Sequence, residues 1–478
     1  MKQQKILFVA SECTPFFSTG GLGDVIGSLP QAIKKRRPKS VDIRVILPLY
    51  QQLPDHIRQE LTPVLQTQVR LSWRDQYCGL FQIQRDGVTY YFVDNEYYFK
   101  RNGLYGHFDD GERFAFFCKA VCTLLEKIDF IPDVLHAHDW QSALTVIYLK
   151  CKDEFSCYRN VKTVFTIHNI AFQGIYDFSI LGDVFELPWE AAQTVDYTGL
   201  INLMKGAIVC CDKLTTVSPT YAGEICTKEY AFGLENILKQ NAYKTVGILN
   251  GIDYTVYDPQ SANLAAPFSP TSLGGKKSCK ALLQKQAGLP EVQVPLFSVI
   301  SRLTEQKGID LILSTAHTFL AKGAQFVVLG TGERKFEEGF CALERIYPDQ
   351  VRVFLKFDKE LARNIYAGSD FFLMPSRTEP CGLAQMMAMR YGTLPIVRET
   401  GGLADSVRDI GCENGGWGIT FKNFTADDLA WSVLRAVNLY YNENHYTQAI
   451  KRAMTADTSW NGSAGRYLSE YESIKKGI

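Results

Sequence analysis

A single glutamate lies where a predicted strand, turn and helix meet. Residues 371–375 are consecutively apolar, the pattern of a parallel strand that is buried on both faces. Glu379 follows this strand, and a helix is predicted over 384–391, with Pro380 suited to its first position. Ligands bind at the carboxyl edge of open parallel sheets, so Glu379 could orient a substrate there; complementing the helix dipole is the alternative. The amides expected to point out of the helix start, towards an anion or sugar hydroxyls, are those of Cys381, Gly382 and Leu383.

Two cations surround a second turn from strand to helix. Arg302 and Lys307 follow a strand predicted over 296–300 and precede a helix predicted over 309–320. Arginine donates in a planar, bidentate fork and lysine is a point charge, so the pair could neutralise a diphosphate leaving group without a metal. Two solvated surface cations are the alternative. The chain has no Asp-x-Asp sequence, which metal-dependent nucleotide-sugar enzymes use to hold a divalent ion, and we therefore expect no metal and no other cofactor.

Polar residues also follow two other predicted strands, over 133–136 and 162–167. The first is followed by Ala137-His138-Asp139-Trp140 and the second by His168-Asn169, which predicts a site at one sheet edge. An isolated histidine is most often only a polar residue with its hydrogen bonds satisfied. The prediction of a functional site here therefore depends on the two strands being neighbours in the sheet. A metal site is disfavoured, because we expect His136 and His138 to alternate across the strand and no carboxylate–histidine set has ligand spacing.

A glycine-rich loop near the start of the chain is a third candidate. Ser18-Thr19-Gly20-Gly21-Leu22-Gly23-Asp24 separates a strand predicted over 5–10 from a helix predicted over 25–35. Gly20 and Gly21 would let a diphosphate approach the backbone closely. The sequence matches neither the dinucleotide fingerprint nor the P-loop, and a plain tight turn remains the alternative.

Tyr98 lies in an aromatic and polar stretch, residues 94–107, which we interpret as a loop. Aromatic rings and hydroxyls at the edge of a cleft suit stacking against carbohydrate. Local packing of the rings is the alternative.

The elements that position these residues alternate between strand and helix in both halves of the chain. This order predicts an α/β protein with two doubly wound, Rossmann-like domains and a cleft between them. Residues 1–245 form the first domain, which a C-terminal helix over 459–478 joins, and residues 246–458 form the second. A hairpin at Asp86-Gly87 interrupts the alternation.

Composition excludes several classes of function. The chain has 478 residues, of which 46% are hydrophobic and 21% charged, which predicts a soluble protein with more than one domain. Lys+Arg and Asp+Glu number 51 each, so nucleic acid is not expected as a partner. Thirteen scattered cysteines predict reduced thiols in the cytoplasm. No signal peptide and no apolar run of about 18 residues is present, so no membrane partner is expected.

Taken together, the motifs resemble glycosyltransferase family 5, the bacterial glycogen synthases and starch synthases. The resemblance covers essentially all 478 residues. It is carried by Gly20-Gly21-Leu22-Gly23-Asp24-Val25, His136-Ala137-His138-Asp139-Trp140, Thr166-Ile167-His168-Asn169, Leu249-Asn250-Gly251-Ile252-Asp253, Ser301-Arg302 to Lys307-Gly308, Ser376-Arg377-Thr378-Glu379-Pro380-Cys381-Gly382-Leu383 and Thr400-Gly401-Gly402-Leu403. The resemblance implies a GT-B fold and transfer of glucose from ADP-glucose to an α-1,4-glucan, with retention at the anomeric carbon.

The resemblance also implies roles for individual residues. Arg302 and Lys307 would hold the diphosphate, with Glu379 and His168 beside the donor glucose. The remaining donor-binding residues would be Gly20, Gly21, Asn250, Phe357, Cys381, Gly382, Leu383 and Thr400, with Phe357 stacked on adenine. Asp139, Trp140 and Asn169 are expected to line the cleft, and Tyr98 of the aromatic stretch to join them on the acceptor side. Catalysis would require domain closure.

Two positions depart from the family pattern. Ser18 stands where the family loop usually has a lysine, and Lys356 stands where a glycine is common. The loss of one phosphate-binding cation leaves two alternatives open, a weakly active glucan-binding homologue and an enzyme that uses another nucleotide sugar. Only one strong carboxylate candidate, Glu379, is present, which favours front-face substitution over double displacement. The sequence is compatible with a homo-oligomer as well as with a monomer.

Overall fold

Strands and helices alternate along the chain, and their contacts separate it into two units. The computed structural model describes residues 3–476. Unit 1 comprises residues 1–248 and 460–478, and unit 2 comprises residues 249–459. The sequence had placed these boundaries after residue 245 and before residue 459.

Unit 1 is built on a large, mostly parallel sheet. Its strands and those of a small companion sheet are β1 (Gln4–Val9), β2 (Val41–Pro48), β3 (Thr62–Leu71), β4 (Arg74–Arg85), β5 (Val88–Asp94), β6 (Val134–His138), β7 (Lys162–Ile167), β8 (Ile175–Tyr176), β9 (Asp196–Tyr197), β10 (Leu200–Asn202), β11 (Lys213–Thr216) and β12 (Thr245–Gly247). Within residues 3–476 the large sheet has the order β12-β11-β7-β6-β1-β2-β5-β4-β3. Within this sheet only β4 runs in the opposite direction, antiparallel to both β3 and β5, as the hairpin signal at Asp86-Gly87 predicts for β4 and β5.

Helices cover the faces of this sheet. They are α1 (Gly21–Arg36), α2 (Asp55–Arg58), α3 (Glu96–Phe99), α4 (Asp110–Lys127), α5 (Trp140–Cys151), α6 (Ala192–Val195), α7 (Leu203–Cys210), α8 (Pro219–Glu224) and α9 (Glu235–Gln240). Helix α1 begins at Gly21, so the glycine loop is shorter than the sequence predicts. Part of the predicted aromatic loop is helix α3, which the side chain of Asn95 caps by accepting from the Tyr98 amide at 3.1 Å.

Unit 2 has a parallel sheet of β13 to β18. The elements are β13 (Leu296–Ile300), β14 (Gln325–Leu329), β15 (Val351–Phe354), β16 (Phe371–Met374), β17 (Leu394–Arg398), β18 (Ile419–Phe421), α10 (Gly274–Gln286), α11 (Ile309–Leu320), α12 (Arg334–Ile346), α13 (Lys359–Gly368), α14 (Ala384–Arg390), α15 (Gly401–Ser406), α16 (Ala426–Tyr440) and α17 (Glu443–Thr455). The order is β15-β14-β13-β16-β17-β18, so the winding direction reverses at the adjacent pair β13 and β16. A crevice at the carboxyl ends of such a pair is the usual ligand site of doubly wound sheets.

Aromatic packing holds this pair of strands together. The Phe297 ring on β13 lies 4.6 Å from the Phe319 ring on α11 and 5.1 Å from the Phe371 ring on β16, measured between centroids. All three side chains are fully buried. The unbroken apolar runs of the sequence are therefore strands covered on both faces, as predicted.

The last helix, α18 (Trp460–Lys476), belongs to unit 1. It packs against α1, and Tyr467, Tyr471 and Ile474 are buried on one face, as their spacing predicts. The hydroxyl of Tyr471 lies 2.7 Å from Nδ1 of His136 in β6, which ties the end of the chain to the centre of the sheet. Among residues 3–476, none of the helices is long and apolar enough to cross a membrane.

Candidate functional site

The strand pair at the reversal point of unit 2 presents a partly buried ion pair. Lys307 lies in a 3-10 turn after β13 and Glu379 in the loop after β16. Nζ of Lys307 is 2.6 Å from Oε2 of Glu379, and the Ser376 hydroxyl donates to the same oxygen at 3.0 Å. The Glu379 side chain is only 9% exposed. A charged group so far from water is stable because a cation and a hydroxyl both face it.

The two loops that carry this pair are locked to each other. Gly308 follows Lys307 with a φ of +69°, and a Cβ there would stand 2.2 Å from the carbonyl oxygen of Pro375. Only glycine fits that close approach without strain. The Arg377 amide donates to the Gln306 carbonyl at 2.8 Å, and the Gln306 side chain donates to the Thr378 hydroxyl at 3.1 Å. These contacts fix the ammonium and the carboxylate in register before any ligand binds.

The helix after β16 begins at the predicted residue 384, and the prediction that Pro380 occupies its first position is therefore wrong. Helix α14 begins at Ala384 with Leu383 as its N-cap residue, because Gly382 has a φ of +69° and interrupts the helical conformation. The Gln385 side chain donates to the carbonyls of Cys381 at 3.2 Å and Gly382 at 2.9 Å. The amides of residues 381–383 therefore belong to an irregular turn, where they precede the helix instead of forming its first turn.

The other predicted donor residues of unit 2 differ in exposure. Arg302 is exposed, and its guanidinium has no partner among residues 3–476, so it is free to meet an anion. Phe357 is 85% exposed, as a ring that stacks on a base must be.

The Asn250 side chain is buried beside the Cys381 thiol, whose pKa burial raises to about 12. Thr400 is buried as the N-cap residue of α15. The Gly402 amide of that turn donates to the Glu379 carbonyl at 3.1 Å, which ties the two loops together.

In unit 1, β6 and β7 bring a pair of buried histidines together. Nδ1 of His138 lies 3.0 Å from Nε2 of His168, and the two rings share a hydrogen bond. Burial lowers the pKa of His168 to about 3, and it lowers the pKa of His138 well below its usual value. Both imidazoles are therefore neutral at physiological pH and can act as hydrogen-bond partners rather than as cations.

Asp139 connects this pair to the helix that follows β6. Its carboxylate accepts from the His168 amide at 2.8 Å, and burial raises its pKa to about 7. Its backbone has a φ of 57° and a ψ of 177°, a region that residues other than glycine rarely occupy. Such strain costs roughly 1–3 kcal/mol and is concentrated at functional sites. Asp139 is consequently the strongest candidate for a positioning residue in unit 1.

The expectation that His136 and His138 alternate across the strand is wrong. Residues two apart in a strand share a face, and these ring centroids are 4.1 Å apart. The nitrogens of His136 are instead occupied by the hydroxyls of Tyr471 at 2.7 Å and Thr166 at 2.6 Å. In the described part of the chain, no group of three or more histidine, cysteine, aspartate or glutamate side chains is placed to hold a metal ion.

The predicted residues on the acceptor side are only partly accessible. Trp140 is half-buried, with its ring 5.3 Å from that of Phe114, and Asn169 is half-buried with its side-chain oxygen accepting from the Ala171 amide at 3.0 Å. Tyr98 is fully buried, and its hydroxyl donates to Glu112 at 2.6 Å. Tyr98 therefore does not line a cleft; the ring exposed in helix α3 is that of Tyr97, at 64%.

Glu12, which no sequence motif marks as a site residue, accepts hydrogen bonds from the amides of the glycine loop. Its buried carboxylate accepts from the Thr19 amide at 2.6 Å, the Thr19 hydroxyl at 2.7 Å and the Gly20 amide at 3.2 Å. The expected cradle for a diphosphate is thus partly filled by the protein's own anion. Gly20 and Gly21 remain exposed, and a Cβ on either would meet nothing within 4 Å.

The two departures lie at the surface. Ser18 is exposed, and its hydroxyl donates to the Gly20 carbonyl at 3.0 Å. The serine side chain therefore folds back onto the loop and does not project from it. Lys356 is exposed, and its ammonium pairs with the Asp358 carboxylate at 2.8 Å. Ser18 carries no charge, and the Lys356 ammonium is paired with Asp358 and not with Glu379.

Comparisons with known proteins cover nearly the entire chain. Residues 5–240 match the family model described as the starch synthase catalytic domain, and residues 283–454 match glycosyl transferases group 1. A glycogen synthase of Anoxybacillus flavithermus is 47% identical, over 99% of this chain and 98% of its own length. A glycogen synthase of Ligilactobacillus salivarius is 45% identical, over 98% of this chain and 100% of its own.

Two solved structures are similar over the full length of both chains. The catalytic domain of starch synthase IV from Arabidopsis thaliana, bound to ADP and acarbose, is 32% identical and has a TM-score of 0.91. A sucrose-phosphate synthase from Thermosynechococcus elongatus is 15% identical with a TM-score of 0.63, a similarity of fold alone.

Proposed function

Because this chain belongs to the glycogen and starch synthase family of glycosyltransferases, we propose that it elongates an α-1,4-glucan with glucose from ADP-glucose. The predicted fold class, α/β with two Rossmann-like domains of the GT-B type, is confirmed by the structural neighbours. The ADP and acarbose bound by the similar starch synthase IV support a nucleotide-sugar donor and a glucan acceptor. We propose transfer to the non-reducing end with retention at the anomeric carbon.

The observation that carries this proposal is the ion pair of Lys307 and Glu379 at the reversal point of the unit 2 sheet. A glucosyl donor with a diphosphate leaving group needs cations at the phosphates and a negative group near the positive anomeric centre. Lys307 and the free guanidinium of Arg302 supply the first, and Glu379 supplies the second. Arg302 and Lys307 would stabilise the diphosphate charge that a bound metal ion would otherwise stabilise. We therefore propose that a chelator leaves turnover unchanged.

The state of Glu379 favours front-face substitution. The negative charge of the Glu379 carboxylate is partly neutralised, because its Oε2 is held by Lys307 at 2.6 Å and by Ser376 at 3.0 Å. Both contacts weaken its nucleophilicity. In the proposed step, the departing phosphate accepts the proton of the acceptor 4-hydroxyl as the new glycosidic bond forms on the same face, and Arg302 and Lys307 stabilise the phosphate charge.

For unit 1 we propose contacts to sugar hydroxyls. His168 is neutral and held by His138, so one of its ring nitrogens has a fixed direction. Asp139 holds the start of the His168-Asn169 turn. Trp140, Gly20 and Gly21 complete the proposed set. Thirteen cysteines, all of them free thiols in the structure, support the proposal of a cytoplasmic location.

The decisive experiment measures transfer of radiolabelled glucose to glycogen with ADP-glucose and UDP-glucose in competition. We expect incorporation from ADP-glucose, with no change on adding a chelator and no covalent glucosyl-enzyme in intact-protein mass spectra. Preference for UDP-glucose would overturn the donor assignment. A glucosyl adduct that is lost in Glu379→Gln would overturn front-face substitution.

A weakly active glucan-binding homologue is the second candidate, and Ser18 is the observation that favours it. The serine side chain is folded onto the Gly20 carbonyl and carries no charge to the loop. If the missing cation limits turnover, Ser18→Lys should raise kcat/KM for ADP-glucose, whereas Thr19→Ala, which removes a contact with Glu12, should not. An equal kcat/KM in Ser18→Lys and the parent would show that the loop cation is not limiting.

A further inference from the structure

A concavity of about 350 Å³ lies at the outer end of the unit 2 sheet, away from Lys307 and Glu379. It is formed by the end of the edge strand β18, the loop that follows it and the first turns of α16. Its volume lies near the lower end of the range of small-molecule binding sites, which is about 300–1,000 Å³. The residues that matter for its chemistry are Lys422, Asn423, Asp427, Asp428 and Trp431.

One wall of the concavity is an exposed tryptophan. Trp431 is 67% exposed, and its indole N–H has no partner in the described chain. Asp427 precedes it by one helical turn and lies on the same exposed face of α16. The side chains of Asp427 and Lys422 are also exposed and make no hydrogen bond or ion pair within residues 3–476. A ring face thus stands beside a free carboxylate and a free ammonium.

The rest of the concavity is rigid. The Asn423 amide and side chain donate to Asp428 at 3.0 and 3.1 Å, and the Thr425 hydroxyl donates to the other Asp428 oxygen at 3.3 Å. The side chain of Thr425 caps α16 by accepting from the Asp428 amide at 3.3 Å. The loop therefore presents its polar groups in fixed positions, which lowers the entropic cost of binding.

The chemistry of this wall selects among ligand classes. Two carboxylates against one ammonium disfavour a phosphate or a nucleotide. A single exposed ring among charged side chains is not the contiguous apolar patch that marks a protein interface. A glucosyl residue, by contrast, has a face of C–H groups that stacks on an indole and a rim of hydroxyls that pairs with carboxylate, amide and ammonium groups.

The concavity is joined to the loop that carries Glu379. Nη1 of Arg398 donates to the Arg377 carbonyl at 2.7 Å, and Nε donates to the Lys422 carbonyl at 3.1 Å. The Arg377 guanidinium also lies 4.1 Å from the Phe424 ring centroid. Both loops leave the carboxyl edge of the same sheet, from strands two positions apart, which is roughly 10 Å.

We propose that the Trp431 concavity is a second α-glucan-binding site, which retains a polymeric acceptor on the enzyme while a chain end is extended elsewhere. The inference rests on the proposed function for the identity of the polymer. A second contact on the same polymer raises its effective concentration without taking part in the chemistry.

The test compares Trp431→Ala with Trp189→Ala, which removes an equally exposed tryptophan from unit 1, in the full-length protein. Native electrophoresis in gels that contain glycogen gives the apparent Kd, and assays with glycogen and with maltose as acceptors give the kinetic constants. We expect Trp431→Ala to raise the Kd and the KM for glycogen roughly tenfold, while kcat and the KM for maltose stay unchanged. Asp427→Ala should shift the same two constants in the same direction.

Glycogen retention of Trp431→Ala equal to that of Trp189→Ala would overturn the proposal, as would a proportional loss with maltose and glycogen. A change in oligomeric state on sedimentation would reassign the surface to self-association and overturn it as well. The proposed function fails by a different result, the absence of glucose transfer from ADP-glucose in the parent, and gel retention tests the concavity independently of that outcome.

Discussion

At the scale of single residues, the candidate groups of each unit are held in place before substrate arrives. Glu379 is held by Lys307 and Ser376, and His168 by His138 and Asp139. Groups fixed in this way need no reorganisation when charge develops, and such preorganisation supplies much of the rate enhancement in many enzymes. The roles of these residues in transfer remain predictions, and substitutions can separate them.

Replacing Glu379 with glutamine should reduce kcat for glucose transfer by about 10²–10³-fold. The amide has nearly the same shape but removes the negative charge that faces the anomeric centre, so KM for ADP-glucose should change much less than kcat. Ser376→Ala is the matched control, since it removes one hydrogen bond and keeps the charge. A kcat in Glu379→Gln as high as in Ser376→Ala would contradict a charge-based role.

Titration of the Asp139 carboxyl should make kcat/KM for glucose transfer depend on pH. Its pKa is raised to about 7, and the ionised form is the better acceptor for the His168 amide, so kcat/KM should rise as pH increases through 7. Asp139→Asn keeps an acceptor oxygen but cannot ionise, and its profile should lack this step. A step near pH 7 of equal size in both proteins would assign the titration to another group.

The same ionisation has a cost in stability. A carboxyl whose folded pKa exceeds its unfolded value of 3.8 stabilises the fold most below that lower value, and this contribution is lost as pH rises towards 7. The contribution of His168 to folding stability changes with pH in the opposite direction. Its folded pKa of about 3 lies below 6.5, so its contribution is present above 6.5 and is lost as pH falls towards 3. Asp139→Asn should therefore gain stability relative to the parent as pH rises from 4 to 7, measured by thermal unfolding.

At the scale of elements, the loops after parallel strands are shaped by close backbone contact. Gly308 shows this, because its left-handed conformation and its approach to the Pro375 carbonyl both exclude a side chain. The loop after β13 and the loop after β16 can then exchange hydrogen bonds, which places Lys307 opposite Glu379. The geometry of the ion pair is thus a property of two elements together.

Gly308→Ala should destabilise unit 2 by about 1–3 kcal/mol and lower kcat, because the loop must shift to relieve the contact with Pro375. Gly462→Ala is the matched control. Gly462 lies in helix α18, where a Cβ meets nothing within 4 Å, and alanine should stabilise it by about 0.5–1 kcal/mol. Urea unfolding and kcat measure both effects. Equal stability changes of the same sign would contradict the role given to Gly308.

At the scale of the whole molecule, the end of the chain returns to the first unit. Helix α18 packs on α1, and its Tyr471 reaches the His136 ring in the centre of the sheet. The hydrogen bonds from Tyr471 through His136 to Thr166 form a fully buried polar chain. Buried polar groups in such a chain are costly when one partner is removed.

Tyr471→Phe should lower the stability of unit 1 by about 1–3 kcal/mol, because it leaves a buried nitrogen of His136 without its partner. Tyr441→Phe removes a hydroxyl from a residue that is 62% exposed and should have little effect. Thermal unfolding at fixed pH compares the two. Equal midpoints in both variants would show that water replaces the lost hydroxyl.

Much of the architecture could be predicted from local patterns. The strand over 296–300 and the helix over 309–320 have the bounds that the sequence predicts. Both predictions use a pattern contained in a single element, an unbroken apolar run for the strand and a 3.6-residue period for the helix. The family is likewise carried by short motifs in a fixed order, and the family models confirm it. Strand β18 and the small sheet of β8, β9 and β10 were missed, since two or three residues carry no period.

The sequence by itself determined the residue types at the carboxyl edges of the strands, and hence the chemistry that the protein can perform. Tertiary structure alone decided which of them meet. It buried Tyr98, filled the glycine-loop amides with Glu12, left Pro380 outside α14 and paired Lys307 with Glu379. The physical reason is distance along the chain: propensity and periodicity act within one element, whereas burial and pairing join residues from different elements, such as positions 307 and 379.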